Sequence, residues 1–181
     1  MARVTLLDPD QADGRVKEVF ERVKTYYRMV PALQKALAYL PDTTDALWTL
    51  SLNTIGEGSI SEELKRVFFV VTSHEVECEY CTKAHVLALL LKRWSRDECV
   101  ALIEGRSSPR LSEKDNAAVS FARVVGRRPA AVTDEMVDEL RVLGWTDAEI
   151  VEIVASVALM RYTSTVATAL DVPLEKAMRG L

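Results

Sequence analysis

Residues 78–91 form the stretch CEYCTKAHVLALLL, in which a short segment with two cysteines leads into a run of strong helix formers. Alanine, leucine and lysine favour helix, and the stretch contains neither glycine nor proline. On a helix of 3.6 residues per turn, Cys78, Cys81 and His85 fall at positions i, i+3 and i+7, on one face. The stretch therefore predicts a helix whose beginning carries two thiols and an imidazole.

Helical patterns continue on both sides of this stretch. Apolar residues recur at helical spacing within 64–71, and Ser59 with Glu62 predicts a capping box before them. Residues 95–98 and 146–149 predict two more capping boxes after the stretch. The sequence has no persuasive alternating strand pattern and no hairpin turn flanked by strands. These observations predict an all-α fold.

The length and composition of the chain indicate one globular domain. The 181 residues are 49% hydrophobic and 28% charged, with a formal net charge of −4. We expect residues 1–181 to form a single helical domain, with a degenerate helical repeat at about 43–105 and 112–171. The mildly acidic balance argues against nucleic acid as a partner, because phosphate binding needs clustered lysine and arginine.

The sequence also predicts a cytoplasmic protein without a membrane partner. The N-terminal residues lack the apolar segment of a secretory signal, and the best apolar run, Ile153–Met160, ends at Arg161. Crossing a bilayer takes about 20 apolar residues. Cysteines in the cytoplasm are normally reduced, so a CxxC pair there indicates redox chemistry or metal binding rather than a permanent disulfide.

The beginning of a helix suits thiol chemistry. Unpaired backbone N–H groups and the positive end of the helix dipole favour a thiolate, and such settings lower a cysteine pKa from about 8.5 to roughly 3.5–7.5. His85 lies one turn beyond Cys81, where it could accept the thiol proton or, as imidazolium, stabilise the thiolate. Reduction of a peroxide needs a thiolate, a second thiol to trap the sulfenic acid, and a proton donor. We therefore predict that Cys78, Cys81 and His85 are catalytic.

Other interpretations of the motif stay open. Two cysteines and two histidines could instead bind zinc: His74, Cys78, Cys81 and His85. On one continuous helix the two histidines would lie about 16 Å apart, so zinc binding requires a sharp turn near residues 75–77. The cysteines could also be small packed residues without either role.

Two further residues near the motif have candidate roles. Tyr80, between the two cysteines, could donate a hydrogen bond to the site or serve in packing. Cys99 lies early in a short predicted helix, and we expect it to be a packed small hydrophobic residue.

The segment Ser73–His85, SHEVECEYCTKAH, resembles the motif of AhpD-like alkylhydroperoxidases in the carboxymuconolactone decarboxylase superfamily. A looser similarity extends through Leu140–Ile150 into the final helix. The resemblance implies an all-α AhpD-like fold with CxxC at a helix N-terminus, and a homo-oligomer (trimer, hexamer or dimer). It also implies reduction of a hydroperoxide without metal or other cofactor, with recycling by a dithiol or protein reductant. By position, Cys81 attacks the peroxide, Cys78 resolves the sulfenic acid and His85 belongs to a proton relay.

One departure from this family pattern concerns the proton relay. The family usually has a relay glutamate twelve residues before the first cysteine, and this position is Arg66. An arginine cannot act as a base near neutral pH, although it could favour a thiolate or bind an anion. Glu63, one turn earlier, is the candidate substitute. The departure motivates an alternative function, a redox sensor or adaptor whose disulfide changes its assembly without efficient turnover.

Overall fold

The computed structural model describes residues 2–181, and the chain forms nine α-helices within that range. The helices are α1 (Gly14–Tyr27), α2 (Ala32–Leu37), α3 (Pro41–Gly56), α4 (Glu62–Glu75), α5 (Glu79–Leu91), α6 (Arg96–Ile103), α7 (Glu113–Arg127), α8 (Asp134–Val142) and α9 (Asp147–Ala169). Three short 3-10 helices complete the regular structure, and no strand forms between residues 2 and 181. The predicted all-α fold is confirmed.

The start of α4 differs from the prediction. The helix begins after Ser61, whose hydroxyl accepts a hydrogen bond from the Leu64 N–H at 3.2 Å. The Ser59 N–H instead donates to the carboxylate of Glu152, at 3.1 Å. The predicted capping box of Ser59 and Glu62 is therefore wrong, because a carboxylate distant in sequence binds the backbone at Ser59.

Helix α4 lies at the centre of the fold and packs against α5, α7 and α9. Every residue from Leu64 to Ser73 is buried. Lys65 is among them, and its ammonium group pairs with the carboxylate of Glu152 on α9 at 2.6 Å. A helix covered on all sides is typical of a domain core, and here it is the support against which α5 packs.

The cysteine motif lies in one of the apolar clusters of the core. A larger cluster joins α4 to α7 and to the first half of α9. The second cluster contains Cys78 and Cys81 together with Phe69 of α4 and Leu159 and Met160 of α9. The two cysteines are only 2% and 3% exposed. Both thiols therefore lie in largely apolar surroundings.

Helix α9 is the one helix of the described chain that is long and apolar enough to cross a membrane. It spans 23 residues and continues through Arg161, beyond the predicted end of the apolar run. Within its most apolar part, 44% of the residues are buried inside the chain. Core helices of soluble proteins have the same length and hydropathy, so this property is weak evidence for a membrane span.

Candidate active site

A tight turn between α4 and α5 positions the first cysteine. The Cys78 N–H donates to the Ser73 carbonyl at 2.9 Å, and the Glu77 N–H donates to the His74 carbonyl at 2.9 Å. This pair of bonds is a Schellman motif, and it requires Glu77 to adopt a left-handed backbone with φ of 55°. The chain reverses here, so that α5 packs alongside α4.

Cys78 is the N-cap residue of α5. Its sulfur accepts a hydrogen bond from the Cys81 N–H, at 3.4 Å. A thiolate at this position faces the unpaired N–H groups and the positive end of the helix dipole. The sequence spacing therefore brings the two cysteines together at a helix terminus that stabilises negative charge on sulfur.

The pKa values of the two thiols are shifted in opposite directions. The neighbouring Cys81 thiol lowers the pKa of Cys78 to about 6 by stabilising its thiolate, although burial opposes the change. The pKa of Cys81 is raised well above its usual value, first by the interaction with Cys78 and then by burial, and a second negative charge beside the first opposes its ionisation further. Cys78 therefore ionises first and Cys81 keeps its proton.

The Cys78 side of the pair lines a cavity of about 450 Å³ between α5, α6 and the end of the described chain. Its apolar lining residues are Val86, Cys99, Val100, Ile103 and Leu181. Its polar and charged lining residues, several of them exposed, are His74, Glu77, Glu79, Thr82, Lys83 and Arg96. A small apolar molecule in this cavity would therefore lie against the sulfur that ionises first.

Cys99 lines the same cavity but differs from Cys78 in its chemistry. It is 2% exposed and belongs to the larger apolar cluster. Burial, followed by the nearby Glu98 carboxylate, raises the pKa of the Cys99 thiol to about 11. Cys99 is therefore a protonated packing residue at neutral pH, in agreement with the role expected from the sequence.

The His85 side chain lies against Arg66 of the neighbouring helix. Nη1 of Arg66 lies 3.3 Å from Nδ1 of His85, and the ring packs at a tilt against Phe69 with centroids 4.9 Å apart. Because a guanidinium only donates, Nδ1 is the acceptor and the neutral ring carries its proton on Nε2. Burial and the Arg66 charge hold the pKa of His85 well below its usual value. Of the two states considered for His85, the imidazolium does not fit this arrangement, and a catalytic role of His85 stays a prediction.

The contact with Arg66 also opposes the predicted role of His85 as a base. Nδ1 is occupied by the guanidinium, and Nε2 already carries a proton. No hydrogen bond formed by residues 2–181 joins His85 to Cys78 or Cys81. Within this part of the chain, the sulfurs and the imidazole share helix α5 without a direct bond.

The candidate substitute Glu63 does not fill the position of the relay glutamate. Its carboxylate accepts a hydrogen bond from the Trp94 indole at 2.8 Å and pairs with Arg110 at 3.3 Å. The carboxylate that contacts Arg66 is that of Glu62, at 3.3 Å. Helix geometry explains the difference, since Glu62 lies four residues before Arg66.

Tyr80 connects the motif to distant parts of the chain. Its hydroxyl donates to Oε1 of Glu175 at 3.1 Å, and the same oxygen accepts the Ala32 N–H at 2.6 Å. Burial and the Glu175 carboxylate raise the pKa of Tyr80 above its usual value. Of the two roles considered for Tyr80, packing is the one that fits, since its hydroxyl bonds a carboxylate rather than a sulfur.

Helix α9 contributes hydroxyl groups that sequence reasoning missed. Ser164 and Thr168 interact with the Cys78 sulfur, and Thr163 and Ser164 interact with the Cys81 sulfur. Each interaction lowers the pKa of the thiol concerned. The available signal was the hydroxyl-rich second half of α9, in which Ser164 and Thr168 lie four residues apart and therefore on one face.

The described residues do not assemble a metal site. Within residues 2–181, no three side chains of His, Cys, Asp or Glu are grouped so that they could hold a metal ion. The sharp turn that zinc binding requires is present at Glu77, yet the His85 ring contacts Arg66 instead of joining the cysteines. The geometry therefore favours thiol chemistry over a structural zinc site.

Comparisons with known proteins identify the fold. The sequence matches no protein-family model and no curated protein. A peroxidase-related protein from Ralstonia eutropha JMP134, described as an alkylhydroperoxidase AhpD core, has a similar structure. The TM-score is 0.86 at 18% identity, over 98% of this chain and 94% of that chain. The protein therefore has an AhpD-like fold, as the resemblance implied.

Two other solved structures are similar at 24% identity and a TM-score of 0.82. One is a peroxidase-related protein from Silicibacter sp. TM1040, matched over 97% of this chain and 94% of that chain. The other is the debrominase Bmp8 in complex with 2,3,4-tribromopyrrole, matched over 97% of this chain and 93% of that chain. The fold is thus shared by peroxidase-related proteins and by a debrominase.

Proposed function

We propose that the protein is a thiol-dependent hydroperoxide reductase that cycles Cys78 and Cys81 between a dithiol and a disulfide. One observation carries the proposal: the sulfur that ionises first caps α5, contacts a second thiol and lines a cavity. Such a pair contains both the nucleophile and the resolving group that peroxide reduction needs. No metal or other cofactor takes part in the proposed cycle.

The first proposed step is attack of the Cys78 thiolate on the peroxide. The sulfur bonds to the terminal oxygen of ROOH as the O–O bond breaks, which oxidises Cys78 to a sulfenic acid and releases an alkoxide. The Cys81 thiol gives its proton to the alkoxide, which leaves as the alcohol ROH. Cys81 is a suitable donor because it is the group that keeps its proton beside the reactive sulfur.

The second step closes the disulfide. The Cys81 thiolate attacks the Cys78 sulfur, an S–S bond forms as the S–O bond breaks, and the leaving hydroxide takes a solvent proton to become water. In total, one hydroperoxide and two thiols become one alcohol, one water and one disulfide. A dithiol compound or protein then restores both thiols by exchange, at the cost of its own oxidation.

The proposal reverses the roles that the resemblance implies for the two cysteines. That resemblance assigns the attack to Cys81 and the resolving role to Cys78. Two features support the opposite assignment: Cys78 lines the cavity, and the shared proton lies on Cys81. A nucleophile must be both ionised and accessible.

A direct test compares Cys78→Ser with Cys81→Ser. With Cys78→Ser, we expect no peroxide consumption. With Cys81→Ser, we expect one turnover that stops at a sulfenic acid on Cys78, which dimedone traps. The opposite pattern, with the sulfenic acid on Cys81, would restore the roles implied by the resemblance. If both variants consume peroxide at the wild-type rate, the proposed function is wrong.

A second candidate is reductive dehalogenation, which the apolar cavity and the likeness to a debrominase favour. A proton from solvent would add to the ring carbon that carries bromine, and the Cys78 thiolate would then take the bromine from that carbon, so that a C–H bond replaces the C–Br bond and a sulfenyl bromide forms on Cys78. Cys81 would then displace bromide and form the disulfide. Release of bromide from 2,3,4-tribromopyrrole, with no consumption of hydroperoxides, would favour this function over the first.

The sensor alternative makes a different prediction for recycling. It rests on Arg66, which leaves His85 without a carboxylate partner. A sensor would be oxidised once and would show no turnover with any dithiol donor, whereas the proposed reductase turns over repeatedly. The homo-oligomeric state, the degenerate repeat and the cytoplasmic location stay predictions.

A further inference from the structure

Ser164 differs from the other buried hydroxyl residues of α9. The hydroxyls of Ser156 and Thr163 donate to carbonyls in the preceding turn of the helix, at 2.8 and 3.1 Å. Ser164 is completely buried, yet its oxygen forms no hydrogen bond with any group of residues 2–181. A buried hydroxyl without a partner is uncommon in folded proteins and calls for a physical explanation.

The apolar neighbours of Ser164 on α9 belong to the same cluster as the two cysteines. Met160 and Ala167, about one turn to either side, belong to the apolar cluster that contains both cysteines. Ser164 is also the hydroxyl residue that interacts with both Cys78 and Cys81, and in each case it favours the ionised sulfur. The unused donor therefore lies beside the atoms on which negative charge develops.

Hydrogen bonds to ionised acceptors are shorter and stronger than those to neutral ones. A neutral thiol is a weak acceptor, and it leaves the Ser164 hydroxyl poorly satisfied. A thiolate, or the oxygen of a sulfenate, is a good acceptor at the same place. The hydroxyl thus gains a partner when the sulfur becomes charged, which stabilises the reactive form over the resting thiol.

We propose that Ser164 is a catalytic hydrogen-bond donor that α9 holds unpaired beside the CxxC sulfurs and that binds the thiolate and then the sulfenate oxygen. The inference deepens the proposed function and rests on it for its role in turnover. The binding of a thiolate by Ser164 is nevertheless measurable without any substrate. An experiment can therefore refute the thiolate-binding role of Ser164 without refuting the proposed reductase function, and the reverse.

The experiment measures alkylation of Cys78 by iodoacetamide between pH 4 and 9, resolved by mass spectrometry of the Cys78 peptide. With Ser164→Ala, we expect the curve to move to higher pH, so that the rate at pH 5 falls about tenfold, as loss of a hydrogen bond to a charged group predicts. Ser164→Thr keeps a hydroxyl and should restore most of the rate. Ser156→Ala is the matched control, a buried serine of the same helix, and its curve should equal the wild-type curve.

Thermal unfolding separates this role from a structural one. At pH 5, below the pKa of Cys78, the thiol is mostly neutral and Ser164 forms no hydrogen bond, so Ser164→Ala should not lower Tm at that pH. An alkylation curve that is unchanged in Ser164→Ala would overturn the proposal, as would a shifted curve that Ser164→Thr fails to restore. If the curve shifts as expected while the wild-type protein consumes no peroxide, the thiolate-binding role stands and the proposed function fails.

Discussion

The guanidinium of Arg66 lies 3.3 Å from Nδ1 of His85, and this contact determines the protonation state of the imidazole. Arg66 is 6% exposed, so its charge is poorly screened by water. Its Nη2 group lies 3.3 Å from Glu62, which also binds Lys92 at 3.0 Å. The arrangement is a chain of charges that leads from the imidazole through Arg66 and Glu62 to the surface.

Replacing this arginine should change the titration of His85. In Arg66→Gln, we expect the pKa of His85 to rise, because the positive charge that opposes protonation is lost, although burial continues to lower it. NMR spectra of the two histidine rings would measure the change. His74 is exposed and serves as the internal control. A His85 curve that stays the same in the variant would contradict the electrostatic role of Arg66.

The reactivity of Cys78 should follow an ionisation near pH 6. The thiolate is present above this pH and is lost as the pH falls below it, so at pH 5 alkylation should be about tenfold slower than at the plateau. Cys99, with its pKa raised to about 11, should stay unmodified across the range of the alkylation experiment, about pH 4 to 9. Alkylation of Cys78 that begins only near pH 9 would contradict the assignment of the thiolate.

The cavity beside Cys78 should select among peroxides by size. Val100→Trp adds bulk to the lining while leaving both cysteines intact, and Val100 is exposed enough, at 45%, to accept the change. We expect consumption of cumene hydroperoxide to fall at least tenfold relative to consumption of hydrogen peroxide. Val142→Trp, at an exposed position of α8, is the control and should leave the ratio unchanged. Equal ratios in the two variants would show that substrates reach the sulfur by another route.

The turn before Cys78 offers a test of backbone strain. Glu77 adopts a left-handed conformation that glycine adopts at little steric cost, so Glu77→Gly should raise the free energy of unfolding by roughly 0.5–1 kcal/mol. Urea denaturation measures the change. Glu77→Ala keeps the Cβ atom and should bring no such gain. Equal stability of the glycine and alanine variants would indicate that the turn is not strained.

The features that the sequence predicted correctly depend on neighbours close in the chain. The capping boxes at residues 95–98 and 146–149 are confirmed, because each is closed by residues three positions apart. The box predicted at Ser59 failed because Glu152, far along the chain, binds that backbone. The proximity of the two cysteines is also a local effect, because Cys78 is the N-cap residue of the helix that contains Cys81.

The chemistry of the site depended on packing that the sequence does not reveal. The neutral state of His85 results from Arg66 on the neighbouring helix, and the contact exists only once α4 and α5 are packed together. Similarly, the sequence alone does not distinguish Ser164 from other helical serines, because the residues that surround it come from other parts of the chain. Its orientation toward the sulfurs depends on how α9 packs against α5.

Counting thiols after reaction with peroxide tests the proposed dithiol cycle. The chain contains three cysteines, and one equivalent of hydroperoxide should remove two titratable thiols and leave one. Peptide mapping without reduction should then show a disulfide between Cys78 and Cys81, with Cys99 still reduced. Loss of no thiols, or a disulfide that includes Cys99, would contradict the proposed dithiol cycle.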